Sequence, residues 1–153
     1  MAEYSSNALQ TVAQNASVLF TESPVPCTRG LVRHRDGSGS FLLKGYVPRM
    51  SCGCCPQSAE YLCLFGANIA IPTGGTVGEI SLAIAIDGSV IPSSQMKVTP
   101  TAVENFYNVS CAVNAQIWRG CCETISVVNT STQEILVQNA NIVISRPDLN
   151  VTR

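Results

Sequence analysis

The sequence predicts an all-β protein, a two-sheet sandwich or jelly roll. Two observations carry the prediction: apolar residues alternate with a period of two instead of 3.6, and Gly, Pro, Asn, Asp and Ser punctuate the alternating runs. Val18-Leu19-Phe20 is a short run ending at Ser23-Pro24-Val25-Pro26, where two prolines forbid an interior strand. The turn sequence Asp36-Gly37-Ser38-Gly39-Ser40 precedes a strand beginning at Phe41-Leu42-Leu43. Tyr61 to Ile71 is the clearest strand, with Tyr61, Cys63, Phe65, Ala67, Ile69 and Ile71 on one face. It stops at Pro72-Thr73-Gly74-Gly75.

Ile80 to Ile86 follows, its isoleucines and Leu82 opposite the small Ser81, Ala83 and Ala85; Asp87-Gly88 then signals a hairpin. From Phe106 to Trp118 the even positions, including Ala112, Gln116 and Trp118, face away from Val109, Val113 and Ile117. Thr124 to Val128 and Ile135 to Ile144, joined by the polar turn from Asn129 to Gln133, bring the set to about eight short strands. Thr99-Pro100-Thr101-Ala102-Val103-Glu104 reads as a helical turn or a loop. Residues 1–10 have no period and read as an arm that is disordered or orders on a partner, with Met1, Ala2, Glu3, Tyr4 and Leu9 as its anchoring side chains.

Composition limits the functions open to this chain. Its 153 residues make one domain of ordinary size. Nine basic and ten acidic residues leave a net charge of −1, and no Lys/Arg run could track a phosphate backbone, which argues against nucleic acid. The longest uncharged stretch, Tyr61 to Gly78, is interrupted by Pro72, Gly74 and Gly75, which argues against a spanning helix. The opening Met-Ala-Glu-Tyr-Ser-Ser does not read as a signal peptide. Charged residues make up only 12% of the chain, far below a free monomer's surface, so much of the outside is expected to be covered by other copies. The small face of Ala83 and Ala85, and Ala112, Gln116 and Trp118, are the expected contact residues.

Four segments together resemble a known superfamily: Tyr61-x-Cys63-x-Phe65-Gly66-Ala67-Asn68-Ile69, Ser81 to Gly88, Val109 to Gly120, and Asn139-Ala140-Asn141-Ile142-Val143-Ile144-Ser145-Arg146. They are similar to the tumour-necrosis-factor/complement-like jelly rolls, in particular the bacterial and phage branch of spore-surface and phage fibre domains. The likeness covers residues 11–146, leaving 1–10 as the arm and 147–153 as a tail. It implies up to ten strands, a tight homotrimer and a structural or adhesive role without catalysis or cofactor. Gly120-Cys121-Cys122-Glu123 stands where members of the superfamily often have Gly-Asp, and no collagen-like stalk precedes the domain. These departures favour a free-standing trimer on a phage virion, fixed to its capsid through the arm. The alternative is a secreted, cell-surface or spore-surface module whose loop tips bind glycan or protein.

The eight cysteines are the one local constellation. With strands running antiparallel, the loop Cys52-Gly53-Cys54-Cys55 and the turn Cys121-Cys122 share one end of the sandwich, so five thiols would converge there. Disulfides between the loops, reduced thiols, and a zinc site of Cys52, Cys55, Cys121 and Cys122 all remain open. Cys63 and Cys111 read as small buried hydrophobes. His34, the only histidine, lies in Arg33-His34-Arg35-Asp36, which reads as an exposed strand end and not as part of a catalytic set. The four Asn-x-Ser/Thr sequons, including the one at Asn129, arise readily by chance in so Asn- and Thr-rich a chain.

Overall fold

A computed structural model of the chain describes residues 1–48 and 56–147. The strands are β1 (Ala2–Ser6), β2 (Gln10–Val12), β3 (Glu22–Val25), β4 (Val32–His34), β5 (Ser40–Lys44), β6 (Ser58–Ala70), β7 (Ile80–Ile86), β8 (Ser89–Val90), β9 (Met96–Val98), β10 (Tyr107–Trp118), β11 (Cys122–Asn129) and β12 (Ile135–Ser145). One sheet runs β10-β6-β12-β1-β3 with β2 beside β12; the other runs β4-β5-β11-β7-β8 with β9 beside β7. Every pairing is antiparallel. Two sheets pressed together by their apolar faces make the all-β sandwich that the alternation predicted, in the jelly-roll form that the resemblance implied.

The two inner faces meet in one core. Tyr61, Cys63, Phe65 and Ile69 from β6 and Ile142 and Ile144 from β12 lie with Phe41, Leu43, Leu82, Ile84 and Ile125 from the opposite sheet, all nearly or fully buried. At one side the rings of Tyr4, Phe20, His34 and Phe41 pack with centroids 4.4 to 6.5 Å apart, which ties β1, β4 and β5 together across the sandwich. Asp87 and Gly88 turn β7 into β8, both at positive φ (48° and 79°), as the two-residue hairpin requires.

Several expectations are corrected. Residues 2–6 are no free arm: β1 pairs along its whole length with β12, Ala2 opposite Ile144 and Ser6 opposite Ala140. Ala2 and Tyr4 point into the core, which removes them from any particle contact while the sheet is intact. Glu3 is half-buried and accepts a hydrogen bond from the Asn141 amide; only Met1 and Leu9 of the expected anchors are well exposed. Ala83 and Ala85 are fully buried within their own chain and offer nothing to a second copy. Of the two readings of the 99–104 segment the loop holds: Glu104 takes a φ of 56° and its N–H donates to the Ile71 carbonyl. A short 3₁₀ turn lies instead at Pro92–Ser94. There the Ser94 hydroxyl accepts from the Ile84 N–H, filling the ladder where β7 changes partner from β8 to β9. The proline rule holds, because β3, which contains Pro24, is an edge strand.

Candidate functional site

Two surfaces carry features that the core does not explain. The first is the outer face of β10, β6 and β12. Register places Ala112 beside Leu64 and Leu64 beside Val143, an apolar row running across the sheet on the solvent side. Leu64 is 42% exposed and Trp118, at the end of β10, is 57% exposed. Gln116 is exposed and donates to the Ser58 hydroxyl. The remaining outward residues of β10 are Asn108, Ser110 and Asn114; on β6, Glu60 is the only outward charge. Ala112, Gln116 and Trp118 therefore lie together on one face, which the alternation of β10 foretold and which the described residues leave open.

The second surface is the end of the sandwich where the 44–48 segment meets the 118–122 turn. Gly45 sits so close to the Trp118 carbonyl that an added Cβ would lie 2.0 Å from its oxygen. In return, the Gly45 N–H donates to the Cys121 carbonyl and the Gly120 N–H donates to Gly45. The Arg119 N–H donates to Gln57, so the chain on both sides of the 49–55 segment abuts this turn. Cys52, Cys54 and Cys55, expected at the same end, lie outside the described residues. Cys121 and Cys122 are exposed, no disulfide joins two described cysteines, and no group of three metal-ligating side chains occurs among the described residues.

Below this end Tyr61 is fully buried. Its hydroxyl donates to the Lys44 carbonyl at 2.6 Å, with the Leu31 carbonyl 3.2 Å away. The Arg146 guanidinium lies 4.9 Å over its ring and donates to the Tyr46 carbonyl. Burial, only partly offset by Arg146, raises the Tyr61 pKa. Beside it burial opposes ionisation of Cys27, yet the backbone N–H groups of Val32, Leu31, Arg29 and Gly30 turn toward its sulfur and hold its pKa below that of an ordinary thiol. The scattered position of Cys27 in the sequence gave no sign of this setting, because four consecutive N–H groups converge only once the 29–32 turn is formed.

Cys63 is the opposite case. Burial, with a smaller contribution from Cys111, pushes its pKa up to about 12. An acid whose folded pKa is raised supports the fold fully below its unfolded value, near 9, and loses that support as pH rises toward the folded value. Stability is expected to fall by about 1.4 kcal/mol per pH unit above 9. Urea melts between pH 9 and 10 check this: the fall should shrink in Cys63→Ala and persist in Cys121→Ala.

His34 is half-buried, not an exposed strand end. It stacks on Phe41 with ring centroids 4.4 Å apart, and its ring nitrogens lie 3.2 Å from the Ser40 carbonyl oxygen and 3.1 Å from that of Phe20. Both nitrogens thus face backbone carbonyl oxygens rather than the side chain of a nucleophile, and the single N–H of a neutral ring can serve one of them. Asn129 is fully buried, so its sequon is closed to a glycan.

No protein-family model matches the chain, and no curated protein matches it in sequence. The fold itself is similar to solved structures. The Eiger TNF from S. frugiperda superposes with a TM-score of 0.63 at 12% identity over 95% of this chain and 90% of that one. The globular domain of the zebrafish complement 1qA protein gives 0.59 at 12% identity over 93% and 94%. Murine APRIL gives 0.60 at 7% identity over 94% and 98%. At such identities the likeness is one of fold alone, a jelly roll similar to those of these three proteins.

Proposed function

We propose that the chain is a non-enzymatic structural protein that assembles as a homotrimer through the outer face of β10, β6 and β12. Its proposed place is the surface of a phage virion, as a capsid decoration or head-fibre protein. The observation that carries the assembly is the row of exposed Ala112 and Leu64 and half-buried Val143, flanked by Gln116 and Trp118 and poor in charge. An open apolar row bounded by amide and hydroxyl side chains suits burial against copies of itself, since the carboxylates beside it that hold a strong hydration shell are Glu60 and, next to Val143 on β1, Glu3. The virion setting rests on the resemblance to the phage branch. Attachment would use surface other than β1, whose inward side chains are spent on the core.

Co-sedimentation tests the setting. Protein mixed with virions that lack it should pellet with them and saturate at a multiple of three chains per site. Protein that stays in the supernatant at every ratio would contradict the virion role while leaving the trimer untouched.

A further inference from the structure

Three adjoining depressions open on the end of the sandwich built by the 29–31, 44–48 and 118–122 segments. Four of the chain's nine basic side chains line them: Arg29 borders the first two, Lys44 the second and third, Arg119 the third, and Arg146 the first. No Asp or Glu among the described residues lines any of them. Among the described residues the one ion pair is Lys97 with Glu79, so Arg29, Lys44 and Arg119 carry their charge without a carboxylate partner. Arg146 is engaged with Tyr46 and Tyr61, so in a chain of net charge −1 it is Arg29, Lys44 and Arg119 that give this end a local excess of positive charge.

We propose that this end binds an acidic polysaccharide, one bearing carboxylate or sulfate groups on its sugar rings. Arg29 and Arg119 are exposed and present guanidinium forks suited to planar or tripodal oxyanions. Tyr46, which walls both the second and the third depression, is 57% exposed and offers a flat ring to the C–H face of a sugar. The second and third depressions measure about 590 and 350 Å³, of the size that takes small-molecule or saccharide units. Gly30 and Gly120 leave their backbone open, with no heavy atom within 4 Å of where a Cβ would stand, so sugar hydroxyls can reach main-chain groups. Gly45 holds the platform together, because only a residue without a side chain lets the 44–48 segment lie on the Trp118 carbonyl.

An extended acidic peptide is a poorer fit, since it would add to a free strand edge, and β5, which carries Lys44, already pairs with β4 and β11 on its two sides. The inference holds for a single chain and does not rest on the virion setting.

Binding of polygalacturonate (carboxylate arm) and heparin (sulfate arm) can be measured by titration at about 50 mM salt, with dextran and poly-glutamate as controls. At least one charged polysaccharide should bind, neither control should match it, and the affinity should fall about tenfold as salt rises to about 300 mM. Arg29→Glu with Arg119→Glu should weaken binding about tenfold or more, Tyr46→Ala should weaken it several-fold, and Arg33→Glu with Arg35→Glu on β4 and the turn after it should leave it unchanged. All of these side chains but Tyr46 act only at the surface, and Tyr46→Ala keeps the carbonyl that Arg146 uses, so unchanged thermal melts serve as the folding control. Absence of binding to both polysaccharides, equal loss in the two arginine pairs, or equally tight poly-glutamate would overturn the proposal.

Discussion

Ala112→Arg is expected to reduce the protein to single chains that remain folded. The side chain at 112 is exposed in the isolated chain and sits beside Leu64, so an arginine there meets no clash within its own sheet. In the proposed trimer the same substitution buries several like charges in an apolar contact, at a cost of several kcal/mol per unpaired ion. The melting temperature of the single chain should move little, whereas the mass in solution should fall by a factor of three. Ala85→Arg, on the face first expected to meet sister chains, should instead unfold the domain, because that position is fully buried within one chain.

Asn129→Ala is expected to be the most damaging polar truncation. Asn129 ends β11 with no exposed surface. Its amide donates to the carbonyls of Val12 at 3.0 Å, Ala13 at 3.3 Å and Gln133 at 2.9 Å, and its oxygen accepts from the Ser131 N–H. Its backbone is bonded too, to Asn15 and Ala16. One side chain therefore closes three segments onto each other. Removing it leaves buried carbonyls and an N–H without partners, each costing about 1–3 kcal/mol, so a loss of about 3–5 kcal/mol is expected. For a chain of this length that lowers the melting temperature by about 10 °C. Asn129→Asp should be at least as harmful, since a carboxylate places negative charge against three carbonyl oxygens and can donate to none of them. Calorimetry of both variants checks the point; a change under about 1 kcal/mol would mean that water replaces the amide.

The elements legible in the sequence are those whose signal is local. β7 ends where Ile80 to Ile86 stops alternating, and Asp87-Gly88 names its own turn. β10 showed which residues share a face, and that face is open. β1 was not legible, because Ala2 and Tyr4 are its only apolar core residues and its partner β12 lies some 140 residues away. The same distance hid Asn129, which looked like the first residue of a polar turn but answers to Val12, 117 positions earlier. Ala83 and Ala85 were misread for a related reason: small side chains do report close packing, but period-two spacing cannot tell whether the cover comes from the same chain or another. The basic end was invisible as well, since Arg29, Lys44 and Arg119 are spread over 90 residues and meet only because Gly45 lies against the 118–121 turn.

Light scattering on the eluting peak of a sizing column weighs the assembly directly. With 16.2 kDa per chain, a peak of about 49 kDa is the expected reading, unchanged on dilution to low micromolar. A steady 16.2 kDa, with Leu64 and Trp118 left in water, would contradict the account at its root.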